Sequence, residues 1–396
     1  MSGALRTFAV IIACIAASVA AFSYAVPGLV DVIANRTRNT PPYEASPRAH
    51  ALLARIFVAD LHADTLLWSR DPGLRNGHGH VDVPRLVEGG VALQAFTLVT
   101  KVPLGLNIER NRSDAFDLIT PLAIAQRWPR CTWGSALARA LYQASRLRNL
   151  ADLHPELVLI RTREDFVRYD ELRRHQRGLV AGFLGIEGAQ ALEGDLHNID
   201  VLFGAGIRMI GLAHFFDTEL AGSAHGDVKS GLTSLGRAAI ERMEQLGIVL
   251  DLAHASPAAI DEATTFARRP VVVSHTGVKA TCDNTRNLDD ARLRAVAATG
   301  GVVGIGFWET AVCGTDAEAI TAAIHHAVDV AGVDHVGLGS DFDGAVEAPF
   351  DVTGLVQIVD GLLARGYAEP EIAKIMGGNA ARVISALLPS ESEGAH

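Results

Sequence analysis

Asp60-Leu-His-Ala-Asp-Thr65 directly follows the apolar run Ile56-Phe-Val-Ala59. A short apolar run that ends in polar residues reads as a buried β-strand meeting its carboxyl end. His62 and Asp64 are two apart, so on a strand their side chains share one face. An imidazole and a carboxylate on one face make half of a metal site. The other half has to come from later in the chain.

Later apolar runs supply strands to hold it. The candidate strands are 57–64, 92–99, 179–187, 206–214, 247–254, 270–275, 301–307 and 334–341. Most are near-continuous apolar runs, as in parallel strands buried on both faces. Helical patterns alternate with them. Segment 233–246 has Leu235, Ile240 and Met243 at helical spacing, 257–267 starts with Pro257 behind the N-cap candidate Ser256, and 316–331 is a third. Segments 353–365 and 369–387 read as closing helices. Eight strands with helical crossovers predict an α/β fold, a TIM-like (β/α)8 barrel. A doubly wound open sheet is the alternative, and no Gly-x-Gly-x-x-Gly follows an early strand to favour it. The connection 101–178 is far longer than one βα unit needs. It reads as an elaboration of the barrel, with an extra strand near 157–161.

The 396 residues are 49% hydrophobic and 20% charged, which suits a compact body. The net charge of −10 and the absence of a basic block argue against nucleic acid as a partner. The amino end differs in kind. After Arg6, residues 7–26 carry no charge, and roughly 20 apolar residues can span a bilayer. Residues 1–30 are therefore expected to be a hydrophobic helix anchoring the chain in a membrane, or a signal segment, since Ser23-Tyr-Ala25 suits cleavage. Either places the remainder outside the cytoplasm, periplasmic, extracellular or secreted. Residues 31–48, with Asn39-Thr-Pro-Pro42 and Ser46-Pro47, read as a linker, 49–390 as the barrel, and 391–396 as a polar tail.

The candidate strand ends carry His62 and Asp64, Glu187, His214, His254, His275, and then Asp341 with Asp343. In a barrel these ends meet at one face, where such enzymes do their chemistry. Taken singly, each residue is more simply a capping, turn or hydrogen-bonded core residue. Together, four histidines and several carboxylates at buried strand ends would be costly to desolvate without a compensating cation. A donor set of imidazole and carboxylate without thiolate suits zinc at a catalytic site with open positions. Five or six ligands can hold two ions, one carboxylate bridging them, and such a pair activates water and polarises a carbonyl. That is equipment for hydrolysing an amide or ester.

The stretches 60–65, 185–188, 212–214, 251–256, 274–287 and 337–344 together resemble the membrane dipeptidase family, a branch of the amidohydrolase superfamily, over nearly all of 49–388. The resemblance implies that His62 and Asp64 bind one zinc, His254 and His275 a second, and Glu187 bridges them. It implies a bridging hydroxide that attacks a dipeptide carbonyl, Asp341 as general base and acid, His214 on the substrate carbonyl, and Arg286 on the terminal carboxylate. It also implies a disulfide between Cys282 and Cys313, tolerance of a D-residue at the carboxyl side, and a homodimer, for which the sequence has no signal of its own. From the residues alone, another hydrolysis at the same metals, of lactams, lactones or N-acyl amino acids, stays open. So does a barrel that merely binds metal. Cys14 falls in the anchor, Cys131 has no evident partner, and free thiols at Cys131, Cys282 and Cys313 stay open as the alternative. Asp343 and Asn287 are expected to shape loops and Asp251 to support ligands, while His225 is expected to be a loop histidine, with an additional site residue as the alternative. The segments 215–218 and 221–226 depart from the animal enzymes, which leaves specificity open.

Overall fold

A computed structural model describes residues 3–391, apart from the side chains of 3–5, 15–17 and 19–24. Nine parallel strands form one sheet: β1 (Val58–Ala63), β2 (Val91–Val99), β3 (Leu157–Leu159), β4 (Val180–Glu187), β5 (Ile207–Gly211), β6 (Val249–Asp251), β7 (Val272–Thr276), β8 (Val302–Ile305) and β9 (Val336–Leu338). Eight of them close a ring. β1 pairs with β2, β2 with β4, the pairing continues from β4 through β9, and Asp60 of β1 meets Leu338 of β9. The expected (β/α)8 barrel is therefore present. β3 is the ninth strand. It pairs with Val180–Gly182 at the start of β4, ahead of the stretch that β5 occupies.

The strand residues of the barrel are all buried. This explains the near-continuous apolar runs. One face fills the barrel interior and the other lies under the helices. Three strands end three residues earlier than the sequence predicts. β5 stops at Gly211, β6 at Asp251 and β9 at Leu338. His254 and Asp341 adopt φ of 61° and 60°, a left-handed turn that no strand accommodates. The apolar pattern runs on past the ladder because these turning residues are still buried.

The 101–178 connection contributes the helix Ala136–Leu153, the strand β3 and the helix Arg163–His175. The first helix packs on the barrel through polar side chains that reach strand-end carbonyls. Arg139 Nη1 donates to Thr100 O at 2.7 Å and Gln143 Nε2 to Val99 O at 2.9 Å. Arg139 thus caps the β2 end, whereas Arg110, Arg112, Arg168 and Arg174 are exposed.

The amino end also departs from expectation. Helix α1 spans Gly3–Ala34, and its last turn is docked, with Asp31 buried and Asn35 donating to it at 2.8 Å. Segment 35–44 runs along the barrel, pairing at Thr37 with Ala348 and inserting Tyr43 beneath Asp351. It is a strap, not a free linker. Helix α2 (Pro47–Leu53) begins within the stretch read as linker. Ser46 caps it by accepting from Ala49 N at 3.1 Å, and Pro47 is tolerated because first-turn N–H groups have no helical partner. The expected membrane anchor falls on α1, partly outside the described side chains. Among the described residues no helix is long and apolar enough to cross a membrane. The polar tail 392–396 lies outside the described residues.

Candidate metal centre

The carboxyl ends of the strands bring the predicted residues to one place. His62 is the inward-facing residue of β1, and Asp64 follows the strand, held by Thr97 Oγ1 at 2.6 Å. Glu187 ends β4 and lies at the centre. Its Oε1 is 2.9 Å from His254 Nε2, 3.3 Å from His275 Nε2 and 3.6 Å from His62 Nε2. Its Oε2 is 3.2 Å from His214 Nε2. Asp341 Oδ1 approaches His62 Nε2 at 3.8 Å and Asp64 Oδ1 does so at 3.5 Å. Three overlapping groups have ligand atoms mutually within 4.8 Å: His62–Glu187–His275, Glu187–His214–His254 and His62–Asp64–Asp341. His214 thus lies among the ligand atoms as closely as the five residues expected to hold metal.

The surroundings aim these side chains. Ser274 Oγ lies 3.2 Å from His62 Nδ1 and 3.0 Å from His275 Nδ1. One hydroxyl therefore engages Nδ1 of both rings and turns both Nε2 atoms toward Glu187. Asp251 accepts from Ser274 N at 2.8 Å, which places that hydroxyl, as the sequence suggested for this carboxylate. Asp60 was not singled out, yet it is buried and accepts from Ser340 N at 2.8 Å and Ser340 Oγ at 2.6 Å, fixing the turn that presents Asp341. The signal was there: Asp60 is two residues before His62 and shares its face. His225 lies in a loop, as expected, and is buried with Nε2 3.0 Å from His254 Nδ1, which favours the alternative of a site residue.

The electrostatics fit a site built for cations. Burial first, then the charges of Arg286 and neighbouring imidazoles, hold His254 and His275 well below the ordinary histidine range. Burial likewise keeps His214 well below it. Burial and the neighbouring Asp64 push Glu187 well above the usual carboxylate range, and Asp341 rises to about 8, chiefly by burial. For His62, burial opposes charge but Asp64 and Glu187 outweigh it, raising the ring to about 10. His62 Nε2 is buried with no hydrogen-bond partner. Its separations of 3.5–3.8 Å from three carboxylates are too long for hydrogen bonds. Ligands at ~2.0–2.2 Å from a tetrahedral zinc are about 3.3–3.6 Å apart, so the spacing and donor set suit a metal ion.

A cavity of about 420 Å³ opens onto this cluster. Asp64, Glu187, His214, His254, Arg286 and Asp341 form its polar floor, and Leu67, Val102, Ile108, Phe215 and Trp308 are among its apolar walls. Arg286 is buried, donates through Nη2 to His275 O at 2.6 Å, and leaves Nε without a partner. Burial lowers its pKa to about 10, still cationic at neutral pH. Its loop is pinned by Asn287 Nδ2, which donates to Cys282 O at 2.7 Å and Ala311 O at 2.9 Å. The Cys282–Cys313 disulfide crosses the same gap, while Cys14 and Cys131 are free and exposed. Asp343 points away from the cluster. It pairs with Arg70 and accepts from Thr65 Oγ1 at 2.7 Å and His80 N at 2.7 Å, the loop-shaping role expected of it.

A closed parallel barrel whose strand ends gather imidazoles and carboxylates under a small cavity defines a metal-dependent hydrolase. The sequence profile of the membrane dipeptidases, peptidase family M19, matches residues 46–392, and the chain belongs to that family. It is 27% identical over 354 residues to an uncharacterized dipeptidase of Schizosaccharomyces pombe, covering 85% of this chain and 82% of that one. A metallopeptidase of Rhodobacter sphaeroides, solved with a phosphinate mimic of the dipeptide L-Ala-D-Ala, is 27% identical with a TM-score of 0.69, covering 84% of this chain and 99% of its own. The probable dipeptidase PvdM of Pseudomonas aeruginosa, 21% identical with a TM-score of 0.72 over 87% of this chain and 99% of its own, shares the fold. The protein is thus a hydrolase of a metallodipeptidase family, and its histidine and carboxylate cluster is the part that could hold a metal ion.

Proposed function

We propose that the protein hydrolyses dipeptides with a free terminal carboxylate, using two zinc ions, one held by His62, Asp64 and Glu187 and the other by Glu187, His254 and His275. The observation that carries this is the convergence of His62, His254 and His275 on Glu187 Oε1, with Asp64 beside His62, next to a buried arginine with a free Nε. Zinc bound there supplies a polarised carbonyl and a water activated near neutral pH. Arg286 pairs with the substrate carboxylate, for which guanidinium geometry is suited. That contact sets the scissile amide over Glu187. His214, neutral because it is buried, donates an N–H to the carbonyl oxygen as negative charge develops there. Asp341 accepts the proton of the attacking water and hands it to the leaving amine. The apolar walls receive the substrate side chains. The dipeptide mimic bound by the Rhodobacter relative supports acceptance of a D-residue at the carboxyl side.

We also place the catalytic domain outside the cytoplasm, with the amino-terminal apolar segment as tether or leader. The Cys282–Cys313 disulfide supports an oxidising compartment. A hydrolysis screen tests the activity. L,L- and L,D-dipeptides should be cleaved, and their amidated forms, N-acyl amino acids, lactams and lactones should be poor substrates. Preferential cleavage of the latter group would assign the site to another amidohydrolase reaction.

A further inference from the structure

We propose that His225 is a positioning residue: it fixes which nitrogen of His254 faces the metal site, and it ties that choice to the segment that walls the substrate cavity. The hydrogens can be assigned from the acceptors. His225 Nδ1 lies 2.6 Å from Ile108 O. A carbonyl only accepts, so Nδ1 carries the hydrogen and Nε2 keeps its lone pair. That lone pair faces His254 Nδ1 at 3.0 Å, so His254 donates from Nδ1. Nε2 of His254 is then left with its lone pair directed at the cluster, 2.9 Å from Glu187 Oε1. Both rings are buried, so water is a poor substitute for either bond.

A metal-bound histidine ordinarily hands its second N–H to a carboxylate, a carbonyl or water. Here the acceptor is a neutral imidazole whose own tautomer is set by a backbone carbonyl one step further out. The surrounding backbone holds this relay in place. Ala224 N donates to His254 O at 2.8 Å, and His225 N donates to Ser223 Oγ at 3.0 Å. Asn111 donates to His225 O from its backbone N at 2.7 Å and from Nδ2 at 3.2 Å. Ile108 O also accepts from Thr285 Oγ1 at 3.2 Å, next to Arg286. Ile108 itself lines the cavity. A single carbonyl of the long β2–β4 connection therefore joins the metal-facing ring to the cavity wall and to the loop that carries Arg286.

The proposal rests on His254 being a zinc ligand, so its test measures metal rather than turnover. Full-length parent, His225→Phe and His225→Gln are stripped of metal, shown to be folded by thermal unfolding, and titrated with Zn²⁺ against a chromophoric chelator. Phenylalanine keeps the bulk and removes the acceptor, whereas glutamine restores an acceptor oxygen near the Nε2 position. The expected result is a loss of about 10- to 100-fold in affinity at one of two sites for His225→Phe, with most of it recovered by His225→Gln. If His225→Phe does not fold, His225→Asn, too short to reach His254 Nδ1, takes its place. Affinity within twofold of the parent in the acceptor-less variant would overturn the proposal, as would equal losses in the glutamine variant. A parent that binds no zinc would overturn the zinc reading of the site, and this proposal with it.

Discussion

Arg70 Nη1 lies 2.6 Å from Asp31 Oδ1 and 2.7 Å from Oδ2, joining the last turn of α1 to the loop that follows β1. Asp31 precedes the stretch matched by the family profile, yet it is buried in the body of the barrel. Arg70 also holds Asp343, two residues from Asp341. Asp31→Ala should therefore destabilise the protein by about 1.5–3 kcal/mol, the range for a hydrogen bond to a charged group, since Arg70 keeps one partner. Urea unfolding measures it. An unchanged midpoint would show that the α1 end is incidental to the fold.

Asp343→Asn should cost more, about 3–5 kcal/mol at pH 7, because Asp343, buried against Arg70 as Asp31 is, also accepts from Thr65 Oγ1 and His80 N. Burial alone would raise the Asp343 carboxyl, but Arg70 and His80 outweigh it and hold it far below the usual range. A depressed folded-state pKa gives stability that is fully present above the unfolded value and lost as pH falls through the folded one. The gap between parent and variant should stay constant from pH 7 to about 5 and narrow only below the ordinary carboxylate range near ~3.9. Denaturation midpoints of both proteins across that series decide it, and a gap already closing at pH 6 would refute the assignment.

If the proposed two-zinc site is right, Glu187→Gln should lower the metal content from two ions per chain to one or fewer. Its Oε1 is the atom nearest His254, His275 and His62 together, and an amide is a poorer ligand than a carboxylate. Elemental analysis after dialysis reports this directly. Retention of two ions would remove Glu187 from the bridging position.

Asp341→Asn should keep its metal and lose turnover by about 10²- to 10⁴-fold, the usual contribution of a positioned acid–base group. The readout is kcat alongside metal stoichiometry on the same preparation. Surviving activity would assign the proton transfer elsewhere in the cluster.

Arg286→Ala should raise KM for dipeptides and lower kcat/KM roughly ten- to a hundredfold, as expected for loss of a charge-assisted contact of about 1.5–3 kcal/mol. Amidated dipeptides, which lack the carboxylate, should be nearly indifferent to the change. Equal losses on both substrates would mean that Arg286 acts only through its bond to His275 O.

Much of this was legible in the chain because strand periodicity and burial leave a direct record. A strand buried on both faces must be apolar throughout, so a histidine or carboxylate at its end stands out, and His62, Glu187 and His275 were found on that contrast. Asp60 is legible by the same two-residue rule, since it shares the face of His62. The sequence by itself determined the barrel, the ring of strand ends and the residue types that can hold metal, because these follow from local pattern. Only the tertiary structure decided that His225 supports His254, that Arg70 gathers Asp31 and Asp343, and that the segment after α1 is a docked strap. Each of those is a contact between segments separated in the chain, where no periodicity constrains which side chains meet. His254 and His225 are 29 residues apart, and only the folded chain brings their rings to 3.0 Å.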